Sequence, residues 1–447
     1  MRKALLMAAI TAAATCNLTP AIAETKVAET ELEAIELQLE TLKKEHETRI
    51  QVLEARLLKT KEDSTGQSNF NPAISLILDG RYASFDNNPE EYELPGFALG
   101  GEAGLGENGF SVGHTELIMS TNVDDKFFGQ MTVAIAEHEG STEVELEEAF
   151  IQTLGLGHGL TIKAGRFFSE IGYLNNQHAH SWNFIDAPLI YRGLFGNQLI
   201  DDGVQLTYVV PIDLFLQIGT EASSGSRFPA GGTTNDVGAW TVFADIGGDL
   251  GIEHSWQFGL SHWQANNIEG RESGGHAHGA GGGGEETPSF SGDSKINALD
   301  LVYKWAPNGN PKNKHFKLQF EYFSREENGA ITMLNSGPPV ETSSYDGDQN
   351  GWYLQAIYRF KSQWQTGLRV DRLSSNNTGS DSDVLAEAGL DDEGHTPERI
   401  SVMVEWLPSE FSRIRLQYNR DDSYEEPDNQ LFLQYTMSLG SHGAHPF

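Results

Sequence analysis

Apolar and polar residues alternate one by one through much of this chain, most cleanly between Gly351 and Asp371. Trp352, Leu354, Ala356, Tyr358 and Phe360 share one parity, and Tyr353, Gln355, Ile357 and Arg359 the other. Beyond a turn at Lys361 and Ser362, Trp364, Thr366, Leu368 and Val370 alternate with Gln365, Gly367, Arg369 and Asp371. A period of two sends successive side chains to opposite faces of a strand. The stretch therefore predicts a β-hairpin with arms of about ten residues, enough to cross a bilayer when tilted. Aromatic residues gather at the turn end of the apolar faces, as in a lipid-facing band with an interfacial girdle.

The alternation recurs from Pro72 onward and predicts sixteen strands, from 73–85 and 109–120 to 411–420 and 429–439. Connections at 121–126, 155–158, 211, 361–362 and 408–410 are short, whereas those at 86–108, 169–198, 265–294, 325–350 and 374–397 are long. Short turns on one side and long loops on the other mark an outer-membrane barrel. The expected fold class is all-β, a transmembrane antiparallel β-barrel of about sixteen strands. Parity sends Leu318, Phe320, Tyr322, Val402, Val404, Trp406, Ile414, Leu416 and Tyr418 to lipid. It sends Glu116, Lys317, Glu321, Arg369, Asp371, Glu405, Arg413 and Arg415 to the lumen as pore-lining residues. Sixteen strands leave an aqueous channel rather than a side-chain core.

The N-terminal residues follow other rules. Residues 1–23 begin Met-Arg-Lys, continue apolar and end in Ala21-Ile22-Ala23, a secretory signal peptide. In 24–63, Ala28, Leu32, Ile35, Leu39 and Leu42 keep a 4-3-4-3 spacing that Ile50, Leu53 and Leu57 resume. That spacing predicts a coiled-coil helix. Residues 64–71 read as a polar linker and 72–447 as the barrel. An even number of strands leaves the helix in the periplasm.

Composition narrows the partners. The only cysteine, Cys16, lies within the leader, so no disulfide is expected. No later stretch offers eighteen consecutive apolar residues, which excludes a transmembrane helix. The formal net charge is −34, and loss of Arg2 and Lys3 with the leader makes it more negative. Such acidity argues against nucleic acid. The stretches 86–108 and 374–397 each carry six acids and no Lys or Arg, a field that gathers cations at a pore mouth. The same carboxylates can hold the divalent ions that bridge lipopolysaccharide. No nucleophile elbow, zinc-protease helix or phosphate-cradling loop is present, so no enzyme is expected.

Leu146-Glu147-Glu148-Ala149-Phe150 through Leu160-Thr161-Ile162-Lys163-Ala164-Gly165-Arg166-Phe167 resembles the strand pair before the third loop of the phosphate-selective porin O and P superfamily. Leader, coiled coil and sixteen strands match that architecture, and the terminal Phe447 resembles an outer-membrane assembly signal. The resemblance implies a homotrimeric diffusion channel narrowed by an inward third loop. Those porins concentrate Lys and Arg, and this chain does not, so phosphate selectivity is not carried over. The acidic, histidine-bearing composition is also similar to porin-like receptors linked to zinc supply.

Two His-x-His pairs are candidate metal ligands. His276 and His278 stand in a glycine-rich stretch with Glu272, Glu285 and Glu286, a donor set suited to Zn²⁺. His178 and His180 stand in the third long loop, where the resemblance implies a constriction. The alternative for each pair is a solvated or hydrogen-bonded role without metal. No resident cofactor is required, and Zn²⁺ is expected as a transported or loop-bound ion. The expected function is a channel for small solutes in the bacterial outer membrane, cation-biased and linked to zinc or another divalent metal. An energy-coupled receptor for metal or metal complexes and a structural or adhesive protein remain as alternatives.

Overall fold

The computed structural model describes residues 72–440 apart from 101–102, 139–140, 233–235, 274–286, 337 and 424–425. The expected leader, coiled coil and linker lie outside the described residues, as do His276, His278, Glu285, Glu286 and the C-terminal residues 441–447.

Sixteen antiparallel strands close into one barrel. They are β1 (Ala73–Ser84), β2 (Gly109–Val112, continuing as Thr115–Asn122), β3 (Phe127–His138), β4 (Ser141–Thr153), β5 (Leu160–Phe168) and β6 (Ile200–Val209). There follow β7 (Phe215–Ser223), β8 (Ala239–Leu250), β9 (His254–Glu272), β10 (Thr287–Trp305) and β11 (His315–Leu334). The last are β12 (Thr342–Lys361), β13 (Trp364–Gly379), β14 (Glu398–Ser409), β15 (Ser412–Asp422) and β16 (Asp428–Gly440). Strands β1 and β16 pair from Ser75↔Gly440 to Ser84↔Leu431, which removes both sheet edges.

The alternation decides the two surfaces. Leu354, Leu368, Val402, Val404, Leu416 and Leu433 are exposed on the outside, while their neighbours Tyr353, Gln355, Arg369, Ser401, Glu405, Arg415 and Gln417 are buried within. A continuous apolar exterior is stable only in lipid, so this is a barrel of the bacterial outer membrane. At the turn end Trp364 stacks on Trp406 with ring centroids 6.2 Å apart, part of the expected aromatic girdle.

Strands β9 to β12 are 19 or 20 residues long, about twice what a tilted strand needs to span the membrane. They occupy much of 265–294 and 325–350, expected from sequence as loops. Their outer halves are rich in Ser, Asn, Gly and Glu, so they lack the lipid-facing signal while keeping the backbone ladder.

The lumen is not simply aqueous at the loop end. Two long connections turn inward and pack on the wall. One, following β1, buries Tyr92, Leu94, Phe97 and Leu99. The other, between β5 and β6, contains α1 (Leu189–Phe195), which buries Leu189, Ile190, Tyr191, Leu194 and Phe195. Gly196 ends α1 with φ of 62°, a left-handed cap that favours glycine. Wall residues Phe290, Phe323, Ile331, Tyr345, Tyr353 and Leu373 complete this apolar core, joined by Val384 and Leu385 of α2 (Ser382–Glu387).

Candidate functional site

The inward connection from Ser169 to Leu199 organises the lumen. Its two ends are clipped together by Asn175, whose Nδ2 donates to Ser169 O at 2.8 Å and Leu199 O at 2.9 Å. Leu199 N–H donates to Asn175 Oδ1 at 2.7 Å. From this base the loop crosses the barrel and meets the wall on several sides.

On one side it meets Glu321 of β11. That carboxylate accepts from Tyr173 N at 3.0 Å, Leu174 N at 3.1 Å and Tyr191 Oη at 2.7 Å, and also from Tyr353 Oη. Gln319 Nε2 adds a fifth donor at 3.1 Å, and together these neutral donors hold a fully buried carboxylate. Burial and the neighbouring Glu321 push the Tyr191 hydroxyl well above its ordinary range, so it stays a donor.

Two to three strands further round the wall, Asp186 enters a basic cluster on β13 and β14. Arg369 Nη2 donates to Asp186 Oδ1 at 2.8 Å, and Arg399 Nη1 lies 2.8 Å from Asp186 Oδ2. Gln417 and Asn419 donate to the same carboxylate at 2.6 and 3.0 Å. Burial pushes the Asp186 carboxyl up, but Arg399 and Arg369 hold it well below the usual carboxylate range. Arg415, paired with Glu405, donates to Trp182 O at 2.8 Å, and Asp371 accepts Leu189 N–H at 3.0 Å. Glu321, Arg369, Asp371, Glu405 and Arg415 thus face inward, where they meet the loop or its ion pairs rather than open water.

The histidines occupy the third side, against β2 and β4. His180 Nδ1 lies 2.6 Å from Glu116 Oε1. His178 Nδ1 lies 3.2 Å from Glu116 Oε2 and 3.6 Å from Glu147 Oε2, and its Nε2 lies 2.9 Å from Glu148 Oε2. His114 Nε2 lies 2.6 Å from Glu147 Oε1. Three imidazoles and three carboxylates meet at one spot. Burial depresses the His178 imidazolium, but Glu116, Glu147 and Glu148 outweigh it and raise His178 well above the ordinary histidine range. Burial lowers His180.

Two irregularities build this cluster. The pairing of β1 with β2 shifts by one residue between Gly80↔Val112 and Ile77↔Glu116, an extra residue in β2. Phe110 and Val112 therefore point outward above the shift, and Glu116 points inward below it. Gly113 is required here, since a Cβ would stand 2.1 Å from Asp79 Oδ2. A second shift, between Thr132↔Glu148 and Val133↔Leu146, leaves Glu147 unpaired on β4. It lets consecutive residues Glu147 and Glu148 both be buried, which strict alternation forbids. Sequence reasoning singled out His178, His180 and Glu116. It missed His114 and the roles of Glu147 and Glu148, because a bulge leaves no mark in a hydrophobic pattern.

One cavity lies against the loop at the turn end, and another lies among the connections at the loop end. At the turn end, about 790 Å³ is lined by Lys312, Lys317, Arg359 and Arg413, with Glu405 as its one carboxylate and His178 and His180 on its wall. At the loop end, about 700 Å³ is lined by Glu91, Glu93, Glu387, Asp391, Glu393 and Glu426 without Lys or Arg. Lys317, Glu405 and Arg413 are the three expected pore-lining residues that reach the first cavity. Glu272 is exposed at the end of β9, on the loop side.

No family profile matches the chain. A protein of Aquifex aeolicus (strain VF5), described as uncharacterized, is 29% identical over 427 residues, covering 88% of this chain and 84% of its own length. Among solved structures, the chain is similar to the trimer form of OmpT, an outer membrane protein of Vibrio cholerae, with 10% identity and a TM-score of 0.48 over 83% of this chain and 99% of that one. It is similar to the outer membrane channel DcaP of Acinetobacter baumannii, with 12% identity and a TM-score of 0.47 over 83% and 96% of the two chains. It is also similar to an anion-selective porin from Comamonas acidovorans, with 10% identity and a TM-score of 0.49 over 83% and 99%. No solute passes from them to this chain.

Proposed function

We propose that this protein is a porin-like channel for small solutes, in which the outer mouth favours cations and zinc or another divalent metal is among the cargo. The observation that carries the reading is the pair of cavities, about 790 and 700 Å³, one at the turn end and one at the loop end of a closed barrel. That arrangement suits a pore with a vestibule at each end and a constriction between them. Six carboxylates around the outer cavity raise the local concentration of cations, as charged rings do in channels. The reading groups the chain with the phosphate-selective porin O and P superfamily in architecture, as a homotrimer among lipopolysaccharide, and not in phosphate preference.

The test is the reversal potential of purified protein in planar bilayers under a KCl gradient. Cation preference is expected, and Asp391→Asn with Glu393→Gln should shift the potential toward zero. Anion preference in the wild type would overturn the cation reading, and absence of single-channel steps would overturn the channel itself. A second reading, a receptor that needs an energy source to open, is favoured by the apolar packing of α1 against Phe97. It would show no steps in the wild type and steps once the inward loops are shortened.

A further inference from the structure

We infer that Glu116, Glu147 and His178 form a binding site for a borderline divalent cation, Zn²⁺ above all, that ties the inward loop to the barrel wall. The inference does not need zinc to be the channel's cargo.

The first argument is convergence. Glu116 Oε2, Glu147 Oε2 and His178 Nδ1 are buried atoms without a well-formed hydrogen bond, each facing another of the three across an ionic contact. Buried polar atoms rarely go unpaired, and each such atom calls for an explanation. These come from three separate segments, β2, β4 and the loop, and His178 Nδ1 lies within 3.6 Å of both carboxylate oxygens. Glu116 is fully buried and Glu147 is 5% exposed, so bulk water does not satisfy them.

The second argument is spacing. Zinc bonds to nitrogen and oxygen ligands are about 2.0–2.2 Å, so neighbouring ligands of a tetrahedral ion stand about 3.3–3.6 Å apart. His178 Nδ1 is 3.2 Å from Glu116 Oε2 and 3.6 Å from Glu147 Oε2. Those separations are long for strong ion-pair hydrogen bonds and close to two edges of such a tetrahedron.

The third argument is the surrounding support. Each atom that faces away from the centre is held by another side chain. His180 holds Glu116 Oε1, His114 holds Glu147 Oε1, and Glu148 holds His178 Nε2. A carboxylate on the far nitrogen of a ligating histidine fixes its ring and raises its basicity, as in metal centres generally. Gln130 Nε2 fixes Glu148 in turn at 3.0 Å. His178 also lines the turn-end cavity, which gives the ion a route in. An imidazole among the ligands favours zinc over calcium or magnesium, which prefer all-oxygen sites.

The experiment uses the full chain in detergent, stripped with a chelator, with His276 and His278 replaced by Ala so that the outer loop cannot contribute. Calorimetry with Zn²⁺ alone is expected to show one saturable site per chain, unaffected by millimolar Mg²⁺. Glu147→Gln and His178→Ala should each weaken it at least a hundredfold while the protein keeps its heat-modifiable migration. Co²⁺ added to the parent should give the intense visible bands of a four-coordinate ion, a readout that survives if either variant fails to fold. Absence of saturable Zn²⁺ binding by the parent, or undiminished binding by folded Glu147→Gln and His178→Ala, overturns the site. Bilayer conductance of the same preparation reports on the channel separately, so either reading can fail alone.

Discussion

A single carboxylate does much to fix the inward loop. Asp186 carries the loop's charge into a cluster of two guanidinium groups and two amides, all buried. Asp186→Asn removes the counter-charge that bridges Arg369 and Arg399 and leaves both facing Asp371. Breaking a buried pair from one side costs about 3–5 kcal/mol. The expected outcome is a loop that proteases cut in detergent while the barrel stays folded, read by limited proteolysis and heat-modifiable migration. The pH dependence follows from the depressed carboxyl of Asp186. Its contribution is complete above the unfolded aspartate value near 4 and is lost as pH falls below that toward the folded value. Asp186→Asn should flatten this acid-side loss, and equal acid sensitivity in variant and wild type would refute it. Nothing in the sequence around Asp186 marks this role. Its partners lie about 180 to 230 residues away in the chain, and no local pattern joins them.

At the scale of elements, the strands were legible and the connections were not. Alternation in Trp352 to Phe360 identifies β12 and its faces correctly, because the barrel wall separates lipid from interior at every residue. It fails above the membrane. There Tyr345 and Ile331 face an apolar interior while their neighbours face water, and short polar residues blur the contrast. The inward packing of α1 was hidden for a different reason. Seven residues from Leu to Phe are too short to show a helical period. The connection after β1, read as an acidic outer loop, places its acids outward and its aromatics inward. Phe97 sits over α1 so closely that a Cβ on Gly193 would be 2.9 Å from its ring. This contact joins the two inward connections in one apolar plug. Phe97→Ala combined with Phe195→Ala should raise single-channel conductance severalfold in bilayers and leave strand content unchanged by circular dichroism. Unchanged conductance would place the restriction elsewhere.

Across the whole molecule, charge is polarised along the barrel axis. The outer cavity is lined by six carboxylates, and the turn-end cavity by two lysines and two arginines with one carboxylate. The net charge of −34 hides this, because a sum over the chain says nothing about which end holds the bases. A pore that is acidic at one mouth and basic at the other treats the two directions of current differently. When the loop side is positive, cations enter through the acidic mouth and anions through the basic one. Both carriers then accumulate inside and the current is large. With the opposite sign both are drawn out, and the interior is depleted. The effect requires the charges to reach across the vestibules, so it depends on screening. The Debye length is about 10 Å at 0.1 M salt and about 3 Å at 1 M. Single-channel recordings should therefore rectify at 0.1 M KCl, with larger current when the loop side is positive, and become nearly symmetric at 1 M. Arg359→Gln with Lys312→Gln removes charge at the basic end and should abolish most of the asymmetry without closing the channel. Rectification of the opposite sign, or asymmetry that persists at 1 M, would mean that the constriction and not the charged cavities controls the current.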